Sequence, residues 1–102
     1  MQLLTKAITA VAPAMAYGAS DQALIVAKFF HPLSSYRFYM TELDGNGRMA
    51  YGYVTGLFED EFGPVSMQEL KGLKVRGLGI ERDLHFPINK HRVADVKEGR
   101  VL

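Results

Sequence analysis

The sequence predicts one small α+β domain: an antiparallel β-meander sheet of about four or five strands with short helices packed on one face. Three observations carry this. Two aromatic, strand-like runs, YRFYMTEL and RMAYGYVTGL, flank the turn tetrapeptide Asp44-Gly45-Asn46-Gly47. An apolar run, ALIVAKFF, precedes them by a short connection, so three successive strands pair in order. Capping residues at Thr5 and Ser66 open two brief helical patterns outside the hairpin. At 102 residues with 48% hydrophobic content, the chain fits a single domain, 1–102, with enough apolar side chains for a core.

In chain order, Thr5 can accept from an orphan N–H of a first helical turn, and Ile8, Val11 and Ala12 follow at helical spacing until Pro13 stops the pattern. Residues 14–22 read as loop. Ala23 to Phe30 is apolar on both faces except at Lys28, the pattern of an inner strand covered on both sides or of one partly covered by the first helix, and His31-Pro32 ends it. The hairpin follows. Asp-Gly and Asn-Gly both favour the positive φ that tight hairpin turns need. Two- or four-residue loops built from this tetrapeptide share one parity. They would place Tyr36, Phe38 and Met40 with Met49, Tyr51 and Tyr53 on an aromatic core face, and Arg37, Tyr39 and Thr41 with Ala50, Gly52 and Val54 on the other. A three-residue loop with a bulge would slip this pairing.

Residues 58–63, with the acidic triplet Glu59-Asp60-Glu61, read as a solvated loop. Ser66 and Glu69 form a capping box, Val65 and Leu70 a hydrophobic staple, and Gly72 a stop, which makes a short helix. Residues 80–86 alternate as an extended edge strand that Pro87 ends. The polar tail from about residue 88 is expected to be loosely held.

Charge and composition narrow the function classes. The net charge is +1, so no global field calls for nucleic acid, although eight of the twelve Lys/Arg fall in residues 66–102. Without cysteine the chain has no disulfide framework and no thiolate metal site, which suits a reducing cytoplasm. No apolar run is long enough to span a membrane. The first residues, MQLLTKAITAVAPAMA, faintly resemble a signal peptide, but Lys6 interrupts the apolar run instead of preceding it.

Several patches occur together in one order: LLT, AKFF, YRFY followed by TELDG, YGYVTG, EFGPVSMQEL and GLGIERDLHF. From Leu3 to about Phe86 they resemble the family catalogued as domain of unknown function 2958. The chain departs from the expected pattern at Pro64-Val65, where an aromatic would follow Gly63, and at His85, where tyrosine would stand. The family is uncharacterised. Its members are similar to proteins of bacterial plasmids, phages and other mobile elements, which implies an accessory role such as countering host defence.

Candidate chemistry is sparse. His31, His85 and His91 lack helical metal-ligand spacing, and no metal or other cofactor is expected. Ser34, Ser35 and Ser66 lack a nucleophile elbow, and the RGLG stretch lacks the context of a phosphate loop. Arg82, between Glu81 and Asp83, could hold carboxylates in a planar network. Arg37 with Tyr39, and Lys71, Lys74 and Arg76, could present cations and an aromatic to unpaired bases. Arg37, Tyr39, Lys71, Lys74, Arg76, Arg82, Asp83 and His85 are therefore the candidate binding residues. The reading favours a non-enzymatic protein that binds a host or element-encoded protein. Nucleic-acid binding through the basic C-terminal half is the alternative, and a small hydrolytic or metal-dependent enzyme comes third.

Overall fold

The computed structural model describes residues 2–101. Its elements are α1 (Lys6–Val11), β1 (Ala27–Phe30), β2 (Arg37–Leu43), β3 (Met49–Thr55), β4 (Glu61–Ser66), α2 (Met67–Gly72), β5 (Lys74–Val75), β6 (Leu78–Gly79), β7 (Glu81–Arg82) and α3 (Val93–Lys97). A five-stranded antiparallel sheet runs in the order β4-β3-β2-β1-β7, and β5 with β6 forms a separate hairpin. This is an α+β domain on a meander, as the turn chemistry and the short connections imply.

Both helix starts follow from their caps. The Ile8 N–H donates to Thr5 Oγ1 at 3.3 Å and the Glu69 N–H to Ser66 Oγ at 3.2 Å, each satisfying an orphan donor of a first turn. Ile8, Met67 and Leu70 then bury their side chains in the main core with Val26, Phe29, Phe38 and Met40. Val93 and Val96 of α3 join Ile25, Tyr39 and Tyr53 in a second cluster. The helices therefore cover both faces: α1 and α2 one, α3 the other.

The hairpin faces differ from the parity expectation, and the cause is a β-bulge. Next to the turn the pairs are Leu43 with Ala50 and Glu42 with Tyr51, the even-to-odd match that the turn sequence implies. The Asp44 carbonyl accepts from the Gly47 N–H at 2.9 Å, and Gly47 takes φ 72°. Thr41 is then an extra residue between Met40 and Glu42, and its Oγ1 donates to the Tyr51 carbonyl at 3.2 Å. Beyond it Met40 pairs with Gly52, Tyr39 with Tyr53 and Phe38 with Val54. Phe38 and Tyr53 thus lie on opposite faces, because one inserted residue inverts the side-chain alternation of everything that follows. Phe38, Met40, Ala50 and Val54 face the main core, whereas Tyr39 and Tyr53 face the second cluster.

Two further segments depart from the sequence reading. Residues 61–66 form β4, so residues 61–63 of the stretch read as loop are strand, and Pro64 is tolerated in it because β4 lies on the sheet edge. In the basic segment, Arg76 (φ 53°) and Gly77 (φ 80°) make a type I′ turn joining β5 and β6. The extended reading of 80–86 holds only for the two residues of β7.

Buried polar groups on the sheet act as ties. Glu42 Oε1 accepts from the N–H groups of Ala16 and Tyr17, both at 2.8 Å, and Oε2 from that of Gly18 at 2.9 Å, which fixes the loop after α1. His31 Nδ1 accepts from the Leu33 N–H, so its proton is on Nε2, which donates to the Leu78 carbonyl at 3.0 Å. That bond pins the β5–β6 hairpin to the end of β1. The C-terminal segment is tied to residues 21–25. The Ile25 N–H donates to the His91 carbonyl, the Asn89 N–H to the Ile25 carbonyl, and Lys97 pairs with Asp21 at 2.7 Å. The Arg92 N–H and the Arg100 guanidinium hold the Asp95 carboxyl below its ordinary range.

Gly52 and Gly63 face each other across β3 and β4 and provide a test of the bulge. A Cβ on Gly52 would lie 2.0 Å from the Tyr39 carbonyl oxygen, whereas one on Gly63 meets nothing within 4 Å. Urea denaturation should show Gly52→Ala destabilised by more than about 2 kcal/mol, because backbone must move. Gly63→Ala should be neutral or up to about 1 kcal/mol more stable. Equal effects would mean the close approach at the bulge is absent.

Candidate functional site

The eight candidate residues divide between two places. Arg37, Arg82, Asp83 and His85 line a cleft of about 330 Å³ between β1, β2 and β7, together with Lys28, Phe30, Glu81 and Leu84. Tyr39 adjoins it, with Lys28 Nζ 6.0 Å from its ring centroid. Lys71, Lys74 and Arg76 are elsewhere, exposed at the end of α2 and on the β5–β6 hairpin.

In the cleft, β1 supplies Lys28 and Phe30 at alternate positions and β2 supplies Tyr39 and Arg37 opposite them. Lys28 is buried and lies 3.5 Å from Asp83 Oδ2. Asp83 Oδ1 accepts from the His85 N–H at 2.9 Å, and the Asp83 N–H donates to the Lys28 carbonyl, so this carboxylate organises the turn after β7. Arg37 Nη1 donates to the Ser34 and Tyr36 carbonyls. Arg82 reaches the other side of the sheet, where Nη1 donates to the Gln2 and Leu3 carbonyls. Burial pushes the Tyr39 phenol above its ordinary value against the lowering influence of Arg37, with Asp83 and Asp60 adding to the rise. At 3% exposure Tyr39 has no open ring face to offer a base. These polar groups are engaged in holding backbone. Among the described residues no three of His, Asp or Glu come together as metal ligands.

The larger concavity lies along β4 and was not singled out by sequence reasoning. Two adjoining clefts, of about 610 and 390 Å³, share Tyr36, Leu57, Pro64 and Val65. Val54, Phe58, Glu59, Glu61, Phe62 and Gly63 complete one; Ser66, Glu69, Leu70 and Leu73 complete the other. Together they form one apolar groove from the β3–β4 loop to the end of α2. Its floor is the main-core face of the sheet, since Tyr36, Val54 and Val65 pack against that core. Burial raises the Tyr36 phenol above its ordinary value. Leu57 is 64% exposed and Phe58 fully exposed at the mouth. Leu57-Phe58 between Gly56 and the acidic triplet was the sequence signal, two large apolar residues where a loop needs none.

β4 is also a sheet edge with a guarded backbone. The Met67 N–H donates to the Arg48 carbonyl, which sets the bonded pairs at 48/67 and, by alternation, at 50/65, 52/63 and 54/61. Pro64 therefore falls in a non-bonded pair opposite Tyr51, and the N–H that it lacks would have pointed outward. A missing outward donor blunts strand addition along this edge.

The family model described as protein of unknown function, DUF2958, matches residues 2–97. The chain belongs to that family. No curated protein and no solved structure matches it. In this DUF2958 chain Pro64-Val65 lines the groove and His85 the cleft. Among the described residues no helix is long and apolar enough to cross a membrane.

The structural role of the cleft can be measured. A double-mutant cycle on Lys28→Met and Asp83→Asn, followed by urea denaturation, should give a coupling energy of about 1–3 kcal/mol, as for a largely buried pair. A solvent-exposed pair would give well under about 1 kcal/mol, and that result would separate Lys28 from the ordering of the turn.

Proposed function

We propose that this DUF2958 protein is a non-enzymatic accessory protein that acts by protein–protein contact, with the groove along β4 as its contact surface. The observation that carries this is the pair Leu57 and Phe58, exposed at the mouth of a contiguous apolar groove. Holding large apolar groups in water costs roughly 25 cal/mol per Å², which contact with another protein recovers. Exposed aromatic anchors beside a pocket are also where binding energy concentrates. The polar cleft supports an enzymatic reading less well, because Arg37, Arg82 and Asp83 spend hydrogen bonds on backbone. In this proposal the contact counters host defence, in the mobile-element setting that the family resemblance implies.

Nucleic-acid binding is the second reading, favoured by the exposure of Lys71, Lys74 and Arg76 on one continuous stretch. The two readings separate on salt and on substitution. Wild-type protein should retain its binding partner, Phe58→Asp should lose it with an unchanged circular dichroism spectrum, and neither should bind single-stranded DNA or RNA at low salt. Submicromolar, salt-sensitive nucleic-acid binding, abolished by Lys71→Ala/Lys74→Ala/Arg76→Ala, would reverse the ranking, because neutralised phosphates release counterions.

A further inference from the structure

The groove is set apart by the charge of its walls. Among the described residues, the charged side chains that line it are Glu59, Glu61 and Glu69, and none of the three enters an ion pair. Lys71, Lys74 and Arg76 line neither cleft. The whole chain carries a net charge of +1. A preference for a cationic occupant is therefore set by the groove wall and not by the field of the molecule.

The backbone adds acceptors to the same wall. Residues 61, 63 and 65 are in bonded pairs with β3, so the carbonyls of Phe62 and Pro64 face outward along the free edge. Pro64 has no N–H to set beside them. An occupant that brings donors suits this edge better than one that brings acceptors.

The floor has a gap. Alternation puts Glu61, Gly63 and Val65 on one face of β4, the face that Val54 and Ala50 share with the main core. A Cβ on Gly63 would meet nothing within 4 Å. The missing side chain leaves a notch between Glu61 and Val65. Beside it Tyr36, Leu57, Val65, Leu70 and Leu73 form an apolar hollow. A long side chain with an aliphatic stem and a cationic head fits this arrangement, because Lys and Arg lay their stems on apolar surface while the head stays in a polar setting.

Resting on the reading of the groove as a contact surface, we infer that its occupant is a basic segment of another protein, with one large apolar side chain in the hollow and Lys or Arg side chains against Glu59, Glu61 and Glu69. Arginine matches best, because its planar fork can give a carboxylate two parallel bonds. The six residues of β4 span roughly 20 Å at about 3.3 Å each, the length of an extended segment of about six to eight residues.

A randomised octapeptide library displayed on phage and selected on the purified full chain tests this. The counter-selection is on Phe58→Ser, which removes the anchor at the mouth and leaves the charge unchanged. Sequences enriched on the wild type and lost on Phe58→Ser should carry more Lys and Arg than Asp and Glu, with at least one large apolar residue. The most enriched sequence, made as a fluorescent peptide, is then titrated by anisotropy. Glu59→Gln/Glu61→Gln should weaken its binding at least about tenfold, a difference that raised salt narrows. Gly63→Val, which fills the notch, should weaken it by about the same factor with no loss of urea stability. Enriched sequences that are acidic or uncharged would overturn the inference and leave the groove as a contact surface with another occupant. If no sequence distinguishes the wild type from Phe58→Ser, the reading of the groove falls with it. A basic peptide whose affinity ignores Glu59→Gln/Glu61→Gln would overturn the inference as well.

Discussion

One inserted residue, Thr41, determines which side chains share a face in this sheet. Alternation along a strand is strict, so a single unpaired residue inverts the facing of everything beyond it. Between the turn and Thr41, Leu43 and Ala50 enter the main core, while Glu42 and Tyr51 face the other way. Past Thr41, Phe38 and Met40 enter the same core with Val54, and Tyr39 meets Tyr53 in the second cluster. Without the insertion, Tyr36 and Val54 would lie on opposite faces. With it, both floor the groove beside β4. The tight approach of Tyr39 to Gly52 belongs to the same feature, since the bulged strand bends toward its partner there.

The edge of the sheet then determines where contact can occur. On the β1 side, β7 and residues 89–92 occupy the edge, so its backbone groups are used. On the other side β4 is open, with Pro64 withholding the outward donor. What remains is a side-chain surface: an apolar groove with Phe58 at its mouth. The chemistry of the two concavities differs accordingly. Arg37, Arg82 and Asp83 at the β7 cleft hold backbone, whereas the groove leaves Leu57 and Phe58 facing water.

The legible parts of the fold were those set by local chemistry. Thr5 and Ser66 cap helices because a hydroxyl beside an orphan N–H acts locally. The tandem glycine turn fixed the parity of the pairs nearest to it for the same reason. The bulge was hidden because both faces of the hairpin are covered: Phe38 and Tyr39 are each buried, so no polar residue marks a change of side. The start of β4 was read as loop because the acidic triplet Glu59-Asp60-Glu61 looks solvated, and a place on the sheet edge, where such residues can pair and still face water, is a tertiary property. Of the candidate binding residues, Arg37, Asp83 and His85 come together only through strand pairing, which no local pattern in the sequence shows. Lys71, Lys74 and Arg76 form a separate surface. Leu57 and Phe58 carried a readable signal in their setting, but their grouping with Tyr36 and Leu73 depends on the return of the chain through α2.

The side-chain sorting is most directly tested by nuclear Overhauser contacts in isotope-labelled protein. The Phe38 ring should show contacts to Phe29, stacked at 5.9 Å between centroids, and the Tyr53 ring to Phe62 at 5.2 Å and to the Lys97 side chain. The Tyr36 ring should contact Val65 and Leu57, not Tyr53. Direct contacts between Phe38 and Tyr53, with none between Phe38 and Phe29, would place both aromatics on one face and contradict the bulge on which the groove depends.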